Sequence, residues 1–228
     1  MSYRLEPFVN NSIYHIFTRS IDSRIIFERK GDFYPSLFLK IMRYYRSSKA
    51  TISFSYLSRL RKEEFARVLK AVSYHKYFRV EVLAYCLMPT HFHLLLKQKK
   101  EKGIPRFISD VLNSFTRYFN LKNKRKGPLF LPKFKSSSIN SDELLGHVSR
   151  YIHLNPYSSG IITDLGTLEE YPWSSFSVYA RKEEKDDFLN NKEVLGFFGF
   201  DKGKYRDFVL DNADYQKTLE SLKYAEKW

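Results

Sequence analysis

Met88-Pro89-Thr90-His91-Phe92-His93-Leu94-Leu95-Leu96 is the stretch whose reading decides the fold. It is a continuous apolar run broken by two histidines, and it reads as a β-strand entered through a proline-containing turn. Strand side chains alternate faces with a period of two. His91, His93 and Leu95 therefore point one way, and Phe92, Leu94 and Leu96 the other. A lone histidine in such a strand reads as a hydrogen-bonded core residue. A pair on neighbouring positions of one face suits a divalent cation, and metal binding is favoured here. The run Tyr77 to Leu87 just before it is a second apolar strand. The two are predicted to form an antiparallel hairpin in the middle of a sheet.

The chain has 228 residues, 43% of them hydrophobic, with 20 Phe and 17 Tyr. That is enough for one large domain or a domain with an appendage. Lys plus Arg is 39 against 25 Asp plus Glu, a net charge of +14. Such a balance points to a polyanion, with nucleic acid ahead of an anionic membrane surface. From Lys97 to Lys135 twelve basic residues face only Glu101 and Asp110, so +10 of the +14 lies there. From Arg181 to the end ten basic residues meet eleven acidic ones. The one cysteine, Cys86, excludes a disulfide within the chain and fits a reducing cytoplasm. It sits in an apolar strand and reads as an inert core residue. No run of about 18 apolar residues is present to span a membrane, and the start lacks a signal-peptide core. The expected location is cytoplasmic, with no membrane partner.

Taken in order, Ser12 to Arg19 reads as a strand carrying His15, which either is structural or approaches the metal, with the structural reading favoured. Apolar residues at helical spacing predict helices over Lys30 to Arg46, Arg61 to Tyr74 and Pro105 to Asn123. In the second of these, Phe65, Val68, Leu69 and Val72 share one side. Ala50 to Leu60 gives no firm pattern. Lys122 to Gly127 and then Pro128 to Lys135 interleave basic and aromatic residues, charge for phosphates and rings for bases. Ser141 is a plausible N-cap with Asp142 and Glu143 in the first turn. The helix it starts is predicted to run to Asn155 and stop at Pro156, with Leu144, Leu145, Val148 and Ile152 facing the core. A second face carries His147, Tyr151 and Asn155 at intervals of four, an unusual set for a core helix. Tyr157 to Leu168 reads as a loop. Glu170 to Phe176 is an extended approach to a short helix from Ser174. Short helices are expected over Glu193 to Phe200, Lys204 to Asp211 and Tyr215 to Lys223.

Cys86 to Leu96, Gly127 to Lys135, Arg150 to Pro156 and Tyr171 to Phe176 resemble, in that order, the single-tyrosine HUH transposases. The branch they resemble most is that of the REP-associated tyrosine transposases, relatives of the small insertion-sequence transposases. Tyr14-His15-Ile16, Thr18-Arg19, and Ile26-Phe27 followed by Asp32 also match that branch. Thr90 stands where the family often has Asn, and Ser20-Ile21 where it often has Arg-Gly. Neither change removes a group the chemistry needs. The resemblance covers roughly residues 10–180.

The resemblance implies an α+β, ferredoxin-like antiparallel sheet with helices packed on it. On it rests a division into a catalytic domain at 1–180 and a small helical C-terminal extension at 181–228. It implies that His91 and His93 bind Mg²⁺ or Mn²⁺, that Asn155 is the third ligand and that Tyr151 is the nucleophile. The expected activity is nicking and strand transfer of single-stranded or hairpin DNA through a 5′-phosphotyrosine. Phosphate contacts are expected from Arg19, Lys124, Arg125, Lys126, Lys133, Lys135 and Arg150. Tyr118 is the rival nucleophile and His147 the rival ligand. A non-catalytic nucleic-acid-binding protein of the same fold, and a metal-dependent hydrolase using bound water, are the alternatives. The superfamily contains monomers and homodimers, and the sequence does not choose between them.

Overall fold

A computed structural model describes residues 7–27 and 33–225, with side chains to residue 219. Four strands, β1 (Ile13–Arg19), β2 (Val80–Met88), β3 (His91–Gln98) and β4 (Lys135–Ile139), form one antiparallel sheet in the order β2-β3-β1-β4. Helix α1 (Phe33–Tyr45) and an added helix α2 (Lys62–Ser73) link β1 to β2, and α3 (Gly103–Lys122) links β3 to β4. This β-α-β-β-α-β order is the ferredoxin-like α+β fold that the motifs implied. The predicted start of α1 at Lys30 lies outside the described residues, as does Asp32. Among the described residues no helix is long and apolar enough to cross a membrane.

The alternation in β3 does what its period dictates. Phe92, Leu94 and Leu96 enter an aromatic core with Phe38 of α1, Phe115 of α3 and Phe130. Burying side chains of this size contributes about 1.5–3 kcal/mol each. Leu95 points into the second core, beneath α4 (Asp142–Ser158) on the opposite face.

The hairpin is placed differently from expectation. β3 is interior, but β2 is an edge strand. It reads as interior because later chain covers its outer side. Cys86 bridges to Ser174 and Val82 to Leu189. Leu87 N donates to Trp173 O at 2.8 Å and Asn190 N to Val82 O at 2.9 Å. The covering segment is pinned by Arg43 to Asp186 and Asp187, and by Arg46, whose guanidinium donates to the carbonyls of Asp187 and Phe188. An apolar edge protected in this way is not open to pairing with another chain.

Two helices also depart from their expected faces. On α2, Val72 is buried and Val68 packs on the core, but Phe65 and Leu69 are 38% and 40% exposed. On α4, Leu145 and Ile152 are buried, whereas Leu144 in the first turn is exposed. α4 also runs through Pro156 to Ser158 instead of stopping there. Proline removes one N–H from the ladder, and Ser159 N bonded to Asn155 O at 3.0 Å carries the last turn past it.

The chain after α4 packs back against it. α5 (Phe176–Ala180), α6 (Lys192–Phe197), α7 (Lys202–Leu210) and α8 (Ala213–Ala225) follow in order. Tyr179, Val194, Leu195, Tyr205 and Val209 join Ile152 in the second core. Its centre is polar and satisfied. His153 Nδ1 meets the Tyr205 hydroxyl at 2.7 Å, and His153 Nε2 meets Ser175 Oγ at 2.8 Å. The Tyr205 hydroxyl donates to Ser149 Oγ at 3.0 Å. Cys86 lies in this layer, where burial pushes its thiol pKa well up and keeps it unreactive.

Gly103 begins α3 two residues before the predicted start because no side chain fits there. A Cβ at this position would lie 2.3 Å from the Arg79 carbonyl oxygen. Gly103→Ala is expected to cost about 1–3 kcal/mol, the usual penalty of overpacking. Gly196→Ala in α6, whose Cβ would make an ordinary 3.7 Å contact with Phe200, should be neutral or gain up to about 1 kcal/mol of helix propensity. Thermal melting of the two variants checks the opposite signs.

Candidate active site

Three elements bring the site together on the α4 face of the sheet. In the β1–β3 ladder Phe17 lies opposite His93 and Arg19 opposite His91, so all four share a face, with His15 one step along. α4 crosses that face and adds Tyr151 and Asn155, one turn apart. A cleft of about 100 Å³ is lined by Phe17, Arg19, His91, His93, Tyr151 and Asn155, with Ser158 and Ser159 at its edge. The His91 and His93 rings are 5.2 Å apart, and the Tyr151 ring is edge-on to His93 at 5.5 Å.

The donor set could hold a divalent cation. His93 is 5% exposed, and its pKa is pushed far below the usual range by burial first, then by His15, His91 and Arg19. It is therefore neutral, the form that ligates a metal. His93 Nδ1 is hydrogen-bonded to His15 Nε2 at 2.9 Å. That contact holds the ring and leaves Nε2 as the nitrogen that makes no hydrogen bond to a described residue. His91 Nδ1 is held by Thr90 Oγ1 at 3.1 Å. Asn155 Nδ2 donates to the Tyr151 carbonyl at 2.7 Å. Its Oδ1, the atom a cation takes from an amide, accepts no hydrogen bond from the described residues. Among the described residues no three of His, Cys, Asp and Glu are grouped as a metal cage.

His15 is the supporting residue that sequence reasoning left as structural. Burial lowers its pKa to about 4, so it too is neutral. A partner on the second nitrogen of a ligating histidine sets its tautomer and orientation. The signal in sequence was its position on β1 at the same parity as Arg19.

The basic residues are placed unequally. Arg19 lines the cleft. Lys135 starts β4 opposite Phe17 and so lies on the same face. Lys124, Lys126 and Lys133 are exposed, on either side of Leu129–Leu131, a stretch that bonds to residues 19–21. Arg125 instead donates to Asn120 Oδ1 and to the carbonyls of Gly127 and Pro128, which shapes its own turn. Arg150 stacks on Phe208 at 4.4 Å and bonds to His147 Nδ1 at 2.8 Å, away from the histidine pair. The rivals fall elsewhere. Tyr118 packs against Phe33. His147 lines a second cleft, between α4 and α8, that reaches the other side of Tyr151.

Residues 53–155 match the family of IS200-like transposases, a span that holds both histidines, Tyr151 and Asn155. No curated protein matches the chain. Among solved structures the chain is similar to a REP-associated tyrosine transposase bound to a REP hairpin. The identity is 15% and the TM-score 0.50, over 83% of this chain and 92% of that one. It is also similar to a candidate transposase from Deinococcus radiodurans R1, at 14% identity and TM-score 0.36, over 66% of this chain and 95% of that one. The first of these likenesses shows the fold. The resemblance to single-tyrosine transposases is borne out by the family match, which reaches the first three motifs and ends before Tyr171 to Phe176.

Proposed function

We propose that this chain, matched over residues 53–155 to the IS200-like transposases, cuts and rejoins single-stranded DNA through a covalent bond to Tyr151. The observation that carries the proposal is the convergence of Tyr151, Asn155, His91 and His93 on one cleft from α4 and β3. The hairpin bound by the solved relative supports a hairpin with a single-stranded flank as substrate. The charge of residues 97–135 supports DNA as the polyanion.

In this mechanism the Tyr151 phenol oxygen attacks the scissile phosphorus and loses its proton to solvent. The bond from phosphorus to the 3′ oxygen breaks, and that oxygen takes up a proton as a free 3′-OH. The product is a 5′-phosphotyrosine ester. It keeps the energy of the phosphodiester, so attack by a 3′-OH reverses the step without ATP. His91, His93 and Asn155 would hold Mg²⁺ or Mn²⁺. When bound, the cation neutralises charge on a nonbridging phosphate oxygen. The protein's part is placement. Asn155 ties its amide to the Tyr151 backbone, so ligand and nucleophile move together. Arg19 sits across from His91 with a guanidinium for the phosphate. Lys124, Lys126, Lys133 and Lys135 contact the flanking backbone. Arg125 shapes the loop, and Arg150 fastens the helices after α4.

Tyr151→Phe should abolish the covalent adduct with a hairpin-flanked oligonucleotide on a denaturing gel, by at least about a thousandfold, while DNA binding stays within about twofold. An adduct formed by the variant would refute the nucleophile. Cleavage without any adduct in the parent protein would instead mark a hydrolase using bound water.

His15→Phe removes the hydrogen bond to His93 and keeps an aromatic ring. Mn²⁺ affinity, followed by calorimetry, is expected to fall about 10–100-fold, as it does when the partner of a ligating histidine is lost. Unchanged affinity would reduce His15 to a packing role.

A further inference from the structure

At the end of β3 opposite the cleft, three lysines converge on one tyrosine ring. Lys49, Lys76 and Lys100 place their ammonium groups 4.7, 5.0 and 5.7 Å from the Tyr77 ring centroid. They come from three separate segments: after α1, before β2 and after β3. Lys100 also donates to Ser48 Oγ at 3.0 Å. Nearby carboxylates are engaged elsewhere, Glu81 with Lys99 and Asp110 with Arg79. Among the described residues none of the three lysines forms an ion pair. Three cations around one ring lie within about a Debye length of one another, ~10 Å at 0.1 M salt, so their fields add. An aromatic face attracts cations but carries no net charge. The cluster is therefore left with uncompensated positive charge, as an anion-binding site requires.

We propose that this cluster is a second phosphate-binding site, which grips the backbone of the duplex stem whose single-stranded end enters the Tyr151 cleft. The proposal rests on the DNA partner inferred above. From His91 to Gln98 the strand spans roughly 24 Å, at about 3.4 Å per residue. Duplex DNA advances by a similar ~3.4 Å per base pair. The phosphates at the cluster therefore belong about seven pairs from the cleft. α3 runs back along the same length, and its exposed Arg106 and Arg117 lie eleven residues apart, three turns on one face.

The test is the salt dependence of binding. A fluorescent hairpin with a stem of about ten pairs is titrated with the full chain and with the triple variant Lys49→Gln, Lys76→Gln, Lys100→Gln. Each lost phosphate contact lowers the slope of log K against log salt by about 0.9. The expected result is a slope smaller by about 2.7 and an affinity at least about tenfold weaker. A stem of about three pairs should bind both proteins equally. The control variant Lys62→Gln, Arg67→Gln, Lys70→Gln removes the same charge from α2 and should leave the slope unchanged. An unaltered slope in the cluster variant, or an equal loss in the α2 control, overturns the proposal. Because the readout is binding, it stands or falls on the slope, whereas absence of a Tyr151 adduct on any DNA sinks the transposase reading.

Discussion

Phe17 lies opposite His93, and Arg19 opposite His91, in the ladder between β1 and β3. That register is the constraint on which the site depends. Strand side chains alternate, so a slip by one residue would carry the imidazoles into the aromatic core and bring Phe92 and Leu94 to the cleft. The slip is prevented from the other side. Phe92, Leu94 and Leu96 are fully buried against α1 and α3, and no polar ring could replace them there. The apolar face of β3 thus holds its histidine face in place. The His15–His93 hydrogen bond locks the same two strands from within the site.

The second constraint is how α4 is held on the sheet. α4, which carries Tyr151, sits over the histidine face of β3. Apolar contacts from Leu145 and Ile152 supply the attraction, and the polar network around His153 supplies direction. This network also gives the fourth motif a physical meaning. Ser175 joins His153 to the Tyr85 backbone, and the Tyr171 hydroxyl donates to the Leu87 carbonyl at 2.7 Å. Tyr171 to Phe176 is a clasp between α4 and the edge of β2, remote from the chemistry. Tyr205, well beyond residue 181, completes the same network. The chain after residue 181 therefore helps fix the height of α4.

Much of this was legible where one physical rule acts alone. The period of two exposed the histidine face, and the spacing of four put Tyr151 and Asn155 on one side of α4. What was not legible came from distant partners. β2 reads as an interior strand because Trp173, Ser174 and Leu189 cover its edge, and nothing in Val80–Met88 announces them. Pro156 reads as a stop because its ring breaks the ladder, yet the helix still has bonds to make beyond it. Phe65 and Leu69 keep the helical spacing of buried residues while facing outward. His15 lies 78 positions from His93, so only the fold could join them. Lys49, Lys76 and Lys100 lie far apart in sequence, and only the fold gathers them around Tyr77.

The His153 network has a consequence for the order in which the molecule is assembled. Its partners lie 22 and 52 positions further along the chain, and such distant closures must be made before they are rewarded. Until they are made, α4 lacks part of what holds Tyr151 beside the imidazoles. The cleft is thus complete only once the chain out to Tyr205 has packed on α4.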